Sequence, residues 1–211
     1  MKIIAINGSP RDNGNTFCAL TEVGKAITAE DIDFEIIQIG GKDIKGCIGC
    51  GQCFKNKNGK CAIDTDILNE LLPKIKEADG LVLGSPVYYS GIAGTMKCFL
   101  DRIFYVSDSN GNWFRHKVGA SVVAVRRSGG TMAFNSLNHY LYITEMIIPA
   151  SRYWNVVHGA KGGEALQDEE GMQTMRVLGK NLAWLLKSTN NIDAKTTEPE
   201  QEPKVKTNFI R

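Results

Sequence analysis

The sequence lacks several features that would assign it to a specialised class of protein. Its 211 residues carry 25 Lys and Arg against 23 Asp and Glu, a formal net charge of +2, so it has no excess of basic side chains for nonspecific nucleic-acid binding. Its longest apolar stretches, such as residues 80–83 and 146–150, are far shorter than the roughly 20 residues of a membrane-spanning helix. We therefore expect neither nucleic-acid binding nor membrane insertion.

Other signals are missing as well. The first residues, MKIIAINGSP, do not combine a charged segment, an apolar segment and a cleavage site, so we expect a cytoplasmic protein. The histidines His116, His139 and His158 are scattered, without the H-E-x-x-H spacing or a Ser/His/Asp order. We therefore do not expect a hydrolase, a zinc protease or a catalytic histidine.

What is present is a regular alternation of strand and helix patterns. Short apolar or β-branched runs predict strands at residues 2–6, 34–39, 80–84, 118–125 and 153–157. Helical spacing of apolar residues predicts helices at residues 15–27, 66–78, 92–106, 131–146 and 167–186. Pro73 is expected to kink or interrupt the second helix because it removes a backbone donor. This order predicts an α/β protein with a doubly wound, five-stranded parallel sheet.

The chain divides into one domain and a tail. Residues 1–189 form the predicted α/β domain, with a cysteine-rich insertion at about 41–63 after the second strand. Residues 190–211 contain four acidic and four basic residues, two prolines and almost no apolar side chain, which predicts a solvated tail. If the tail is ordered, we expect a neighbouring subunit to hold it.

The loop after the first strand, residues 8–16 (GSPRDNGNT), has the composition of an anion site. It opens onto a helix N-terminus, where backbone N–H groups are unpaired and the helix dipole is positive. It lacks the lysine of a nucleoside-triphosphate loop and the G-x-G-x-x-G spacing of dinucleotide sites, so a phosphate monoester fits better. The alternative is a plain turn with an N-cap.

Two further loops follow the third and fourth strands, residues 85–91 (SPVYYSG) and 126–131 (RRSGGT). Carboxyl ends of parallel strands meet at one edge of a sheet, which is where such sheets bind ligands. The three loops would therefore combine a phosphate site, an aromatic wall and a glycine-lined surface for a flat ring.

The motifs GSPR-x-x-GNT, GSPVYYSGIAGTMKCFLDR and RRSGGT resemble the flavodoxin-like flavoproteins of the NADPH-dependent FMN reductase family, over roughly residues 1–157. The resemblance implies FMN as cofactor, with the flavin and not a side chain performing the chemistry. It implies that the FMN phosphate is held by Ser9, Arg11, Asn15 and Thr16. It implies that the isoalloxazine is contacted by Pro86, Val87, Tyr88, Tyr89 and Gly91, and covered by Ser128, Gly129 and Gly130. The alternative for the two tyrosines is a place in the core or at an interface.

A cluster of cysteines gives a second signal, C-x-x-C-x-x-C-x7-C, formed by Cys47, Cys50, Cys53 and Cys61. Thiolates at this spacing can converge on one centre when the chain coils, and intervening glycines leave room for it. The segment resembles the cysteine motif of iron-sulfur flavoproteins, in which a [4Fe-4S] cluster lies beside FMN. Thiols without metal and a closed zinc site are the alternatives. Cys18 and Cys98 are expected to be small buried apolar residues.

Charged residues near these motifs admit more than one interpretation. Lysines surround the cysteines and would offset a cluster's charge or dock an acidic donor such as ferredoxin, or they would simply be solvated: Lys42, Lys45, Lys55, Lys57 and Lys60. Arg126 and Arg127 would steady a reduced flavin or form surface ion pairs. Asp101 and Arg102 are interpreted as a structural or interface pair.

The resulting functional hypothesis is an FMN-dependent oxidoreductase that passes electrons between a [4Fe-4S] cluster and FMN. Ferredoxin or NAD(P)H would be the electron donor, a small molecule the acceptor, and the family resemblance implies a homodimer or homotetramer. A cluster-free NAD(P)H-dependent FMN or quinone reductase is the alternative. A noncatalytic zinc- or FMN-binding module is a further alternative.

Overall fold

A parallel sheet forms the centre of the protein. The computed structural model describes residues 1–191, 196–205 and 207. Five strands pair in parallel in the order β2-β1-β3-β5-β6, and the short β4 pairs antiparallel with the end of β3. The strands are β1 (Lys2–Asn7), β2 (Asp33–Gln38), β3 (Gly80–Tyr88), β4 (Gly91–Ile92), β5 (Val118–Val125) and β6 (Val156–His158). The predicted doubly wound parallel sheet is confirmed, and β4 is an addition that the pattern did not predict.

Helices connect the strands and cover both faces of the sheet. They are α1 (Asn15–Thr28), α2 (Gln52–Asn56), α3 (Leu68–Glu77), α4 (Gly94–Ser109), α5 (Gly130–Ile143) and α6 (Glu169–Asn190). A 3-10 turn, Glu164–Gln167, precedes α6, and the carboxylate of Asp168 caps that helix by accepting from Gly171 N at 2.9 Å. Because of this turn, the last helix begins after the predicted residue 167.

Alternation along the strands divides the core into two layers. Ile4 and Ile6 of β1 pack with α3, α4 and α5 on one face. Ile3 and Ala5 point the other way and pack with α1 and α6. Since successive side chains of a strand point to opposite faces, an apolar run such as KIIAI serves both layers at once.

The second predicted helix and the last predicted strand differ from the prediction. The helix at Pro73 continues through the proline, and burial of Leu72 and Ile75 on either side holds it against the core despite the missing N–H. The last strand covers residues 156–158 rather than 153–157, because Tyr153 and Trp154 turn out of the sheet and pack edge to face on each other, with ring centroids 4.5 Å apart.

The described part of the tail lies against its own chain. Arg115 Nη2 donates to the Pro199 carbonyl at 2.6 Å, and Lys204 Nζ lies 2.6 Å from the Asp108 carboxylate. The tail hypothesis also concerns residues 192–195, 206 and 208–211, which lie outside the described residues. In the part of the chain that the structure describes, no helix is both long enough and apolar enough to cross a membrane.

Candidate functional site

The loop between β1 and α1 has the features that an anion site requires. Ser9 is buried, its N–H donates to Asn7 Oδ1 at 3.1 Å, and its Oγ accepts from Arg11 N at 3.2 Å. Gly14 occupies the N-cap of α1 without a side chain to cap it, and the first turn of that helix carries no acidic residue. The backbone N–H groups of this first turn therefore point toward the loop, and no side chain at the N-cap accepts a hydrogen bond from them.

Thr16, in the same turn, carries a hydroxyl that fits a bound anion. The residue is 1% exposed, and its Oγ1 has no hydrogen-bond partner within the described residues. A buried hydroxyl left unpaired costs about 1–3 kcal/mol. A ligand oxygen that accepts from this hydroxyl would remove that cost, so the phosphate group of FMN fits the residues present.

A pocket of about 170 Å³ lies at the carboxyl edge of the sheet, where the first two loops meet. It brings together seven of the residues predicted to hold FMN: Ser9, Arg11, Asn15, Thr16, Pro86, Val87 and Tyr88. Arg126, which follows β5, lines the same pocket. Two arginines and a helix N-terminus give this pocket a positive electrostatic character.

Tyr89 and Gly91 lie outside the lining of that pocket. They belong to the β3–β4 hairpin, in which Val87 pairs with Ile92 and Tyr88 with Gly91. Tyr89 lies in the turn with φ +58 and a fully exposed side chain. This left-handed conformation costs a non-glycine residue about 1–3 kcal/mol, and such strain concentrates at functional sites. Contact of these two residues with flavin stays a prediction.

The third loop lines a neighbouring pocket. Ser128, Gly129 and Gly130 face a cavity of about 380 Å³ that also contains Tyr153 and Trp154 in its wall. Gly129 has φ +89 at the N-cap of α5, and a Cβ there would lie 3.1 Å from Val87 Cγ1. The third loop therefore packs against the second, but the structure divides ten of the twelve predicted FMN residues between two adjacent pockets, and Tyr89 and Gly91 line neither.

The segment after β6 contributes residues that the sequence analysis missed. Gly159 and Ala160 line the first pocket, and Asn15 Oδ1 accepts from Ala165 N at 3.1 Å. Glu164 Oε2 accepts from the N–H groups of Lys161 and Ala160, which lower the pKa of this carboxyl. The signal was available, because this segment follows the carboxyl end of the fifth parallel strand.

The end of β2 and the residues before the cysteine-rich segment pack directly on the loop between β1 and α1. Gln38 Nε2 donates to the carbonyls of Ser9 and Gly40, and Gln38 Oε1 accepts from Asn7 Nδ2 at 2.6 Å. A Cβ on Gly40 would lie 2.0 Å from the Ser9 carbonyl oxygen. Only glycine allows the two backbones to approach this closely.

The cysteine pocket is a small cavity of about 20 Å³ that all four motif cysteines line: Cys47, Cys50, Cys53 and Cys61. Gly49 and Gly51 have positive φ values of +63 and +67, which let the chain coil between the thiols. Among the described residues, no three His, Cys, Asp or Glu side chains lie close enough to hold a single metal ion.

Two kinds of metal group use four thiolates as ligands, a single zinc ion and a four-iron cluster. A single zinc ion would need each thiolate sulfur at about 2.3 Å from the metal. A four-iron cluster binds one thiolate at each iron and therefore spreads its ligands more widely. Four thiols around one pocket fit the donor chemistry of such a cluster.

Arg102 does not form the pair with Asp101 that the sequence suggested. Its side chain is fully buried and pairs with Asp66, which is 1% exposed. Asp101 pairs instead with Lys97 at 2.6 Å and accepts a hydrogen bond from Tyr140. Burial of the phenol, together with this bond to Asp101, raises the pKa of Tyr140 to about 12. Arg102 and Asp101 thus each form an ion pair, but with separate partners.

The remaining cysteines and the lysines differ in their exposure. Cys18 and Cys98 are half-buried rather than fully buried, and burial raises the pKa of the Cys18 thiol. The lysines around the cysteine pocket are all exposed: Lys42, Lys45, Lys55, Lys57 and Lys60. Their exposure is compatible with both the docking and the solvated interpretations.

Comparison with known proteins places this site in a family. The family model described as NADPH-dependent FMN reductase matches residues 1–161. An iron-sulfur flavoprotein of Methanocaldococcus jannaschii is 37% identical over 194 residues, which cover 89% of this chain and 98% of that protein. An iron-sulfur flavoprotein of Archaeoglobus fulgidus is 30% identical over 205 residues, covering 91% and 98%.

A solved structure shares the fold. A flavodoxin from the domain Archaea superposes with a TM-score of 0.56 at 21% identity, covering 89% of this chain and 99% of that one. Its likeness supports the flavodoxin-like sheet order, in which the site lies at the switch point between β1 and β3. On the match of residues 1–161, this chain belongs to the NADPH-dependent FMN reductase family, whose members are flavin-dependent oxidoreductases.

Proposed function

We propose that this protein passes single electrons between a [4Fe-4S] cluster, held by Cys47, Cys50, Cys53 and Cys61, and FMN bound at the carboxyl edge of the sheet. The observation that carries this proposal is that the four thiols line one pocket, on a segment that directly follows Gly40, whose backbone packs on the loop between β1 and α1. Relatives named iron-sulfur flavoprotein, similar over nine-tenths of this chain, support it.

Bound FMN would supply the redox chemistry, since its isoalloxazine accepts a hydride or single electrons. The chain's own residues would bind and orient it. The N-terminal turn of α1 and the hydroxyl of Thr16 would donate to the phosphate, and Arg11 would balance its charge. Pro86 to Tyr88 would form the wall beside the ring.

The donor and the acceptor follow from the same proposal. Ferredoxin is the proposed one-electron donor, because exposed lysines around the cysteine pocket suit an acidic protein surface. The acceptor would be a small molecule that reaches the exposed β3–β4 hairpin. The second candidate is a cluster-free NAD(P)H-dependent FMN or quinone reductase, which the family's own description favours.

The test begins with anaerobic purification of the full chain. We expect flavin absorption bands over a broad brown absorption, with about four iron and four sulfide per chain. Iron, sulfide and zinc are assayed on the same sample. If the protein binds flavin but no iron and sulfide, even after reconstitution, the proposal is wrong and the cluster-free reductase is favoured. If it binds zinc alone, a noncatalytic module is favoured.

Two cysteine variants sharpen this test. Cys50→Ser removes a proposed ligand and should lower the iron and sulfide content to a small fraction of the wild-type content, with flavin retained. Cys18→Ser, on α1 and outside the motif, is the matched control and should keep the wild-type iron content. Equal iron content in both variants would contradict the assignment of the ligands.

The electron donor is tested on the same preparation. Reduced ferredoxin and NADPH are each mixed anaerobically with the protein, and loss of the flavin absorbance is followed with time. We expect reduction by ferredoxin and a lower rate with NADPH, and the opposite order would favour the alternative reductase.

A further inference from the structure

Arg102 is a charged side chain held beside the cysteine pocket without access to solvent. It lies on α4, lines that pocket and is fully buried. Its guanidinium donates to Lys45 O at 3.1 Å, to Ile63 O at 2.7 Å and to the carboxylate of Asp66. Its Nε donates to Cys61 Sγ at 3.3 Å. One cation thus ties both ends of the cysteine-rich segment to α4.

The charges of this buried pair are held in place by further hydrogen bonds. Asp66 also accepts from Lys45 N at 3.0 Å and from Leu68 N at 3.2 Å. Burial opposes ionisation of Asp66, but the bonds from Arg102 and from these two N–H groups outweigh it and lower the pKa of the carboxyl. Burial likewise opposes the charged form of Arg102, but the hydrogen bonds from its guanidinium to Asp66 and Cys61 outweigh the burial and raise the pKa of this group.

We infer that Arg102 is a positioning residue of the cysteine site, which fixes Cys61 and raises the reduction potential of the cluster bound there. The inference rests on the proposed function. Reduction adds a negative charge, and a nearby positive charge together with a hydrogen bond to a ligand sulfur stabilises the reduced form. Asp66 opposes this rise in the reduction potential, because its carboxylate places a negative charge beside the same guanidinium.

Because Arg102 and Asp66 carry opposite charges, removing each of them should shift the reduction potential in opposite directions. Arg102→Gln removes the positive charge and should shift the reduction potential of the cluster to more negative values. Asp66→Asn removes the negative charge and should shift it to more positive values. The potentials are measured by anaerobic redox titration of the holoprotein, followed by electron paramagnetic resonance, with iron and sulfide content determined in parallel.

Control variants separate charge from structure. Lys97→Gln removes one positive charge from an exposed site on the same helix and should leave the potential at its wild-type value. If Arg102→Gln retains no cluster, Arg102→Lys is measured instead. This variant keeps the positive charge but loses the planar set of guanidinium N–H donors, so the reduction potential should shift to more negative values by a smaller amount.

The outcomes are distinct. Wild-type potentials in Arg102→Gln and Asp66→Asn, or a shift of the same sign in both, would reduce Arg102 to a structural residue and overturn the inference. If Arg102→Gln retains no cluster, wild-type potentials in Arg102→Lys and Asp66→Asn would overturn it. The proposed function would then stand, because the wild-type protein still holds its cluster. Wild-type protein that binds no iron and sulfide after reconstitution would overturn the proposed function, and the inference with it.

Discussion

Gly40 offers the sharpest test of how the loop between β1 and α1 is built and of whether it holds the FMN phosphate. In Gly40→Ala, the new Cβ would lie 2.0 Å from Ser9 O, 2.1 Å from Ser9 C and 2.6 Å from Pro10 N, all of them backbone atoms. Ordinary van der Waals contact begins at 3.4 Å, so the two backbone segments must separate by about 1.4 Å. No rotation of a side chain can relieve this overlap.

The expected effects concern both stability and FMN binding. Overpacking costs about 1–3 kcal/mol, which lowers the melting temperature of a chain this size by roughly 2–12 °C. Displacement of Ser9 also disturbs donors to the phosphate, and one lost hydrogen bond to a charged group is worth about 1.5–3 kcal/mol. The Kd for FMN should therefore rise by about 10- to 150-fold.

The assay is titration of apoprotein with FMN, followed by quenching of flavin fluorescence, together with thermal unfolding of both forms. Gly94→Ala is the matched control, because a Cβ at the first residue of α4 meets nothing within 4 Å. A wild-type Kd in Gly40→Ala, accompanied by a lower melting temperature, would show that the loop beside Gly40 does not hold the phosphate. Wild-type values of both quantities would refute the packing argument as well.

Three further predictions concern the site and its support. Thr16→Val removes the unpaired hydroxyl; we expect an apoprotein at least as stable as wild type and an FMN Kd raised by about 10-fold, and an unchanged Kd would exclude contact with the phosphate. Tyr140→Phe removes the bond to Asp101 and should cost about 1 kcal/mol in urea unfolding, while ultraviolet titration should lose one phenol that ionises near pH 12; a titration curve equal to wild type would contradict the assignment. Despite burial, bonds from Arg102 and the backbone lower the pKa of Asp66, so its stabilisation is present above about pH 4 and is lost as the pH falls through the lowered pKa. Asp66→Asn should therefore show a shallower loss of stability between pH 5 and pH 2 in urea unfolding, and an equally steep loss would refute this linkage.

The fold was largely predictable because its determinants are local. The apolar run of β1 serves both faces of the sheet, and the strand-loop-helix order fixes a parallel arrangement with its loops at one edge. Errors occurred where tertiary contacts override local preference. Pro73 is held in a helix by the burial of its neighbours, and residues 153–154 leave the sheet to form an aromatic pair.

The site was predictable only in part. The first two loops meet in one pocket as their positions imply, and the four cysteines share another. Pattern alone did not indicate that Ser128 to Gly130 face a separate cavity, or that Ala160 lines the pocket formed by the first two loops. Both depend on the path of loops whose conformation is set by their packing partners.

The sheet, its two apolar faces, the edge where the loops gather and the spacing of the thiols all follow from sequence patterns, because periodicity and spacing act over a few residues. Which distant groups meet depends on how the elements pack in three dimensions. Arg102 reaches Cys61 across 41 residues of sequence, and Asn15 reaches Ala165 across 150. No local pattern encodes such pairs, since they arise when helices and loops are packed onto the sheet and most buried polar groups pair with whatever donor or acceptor lies nearby.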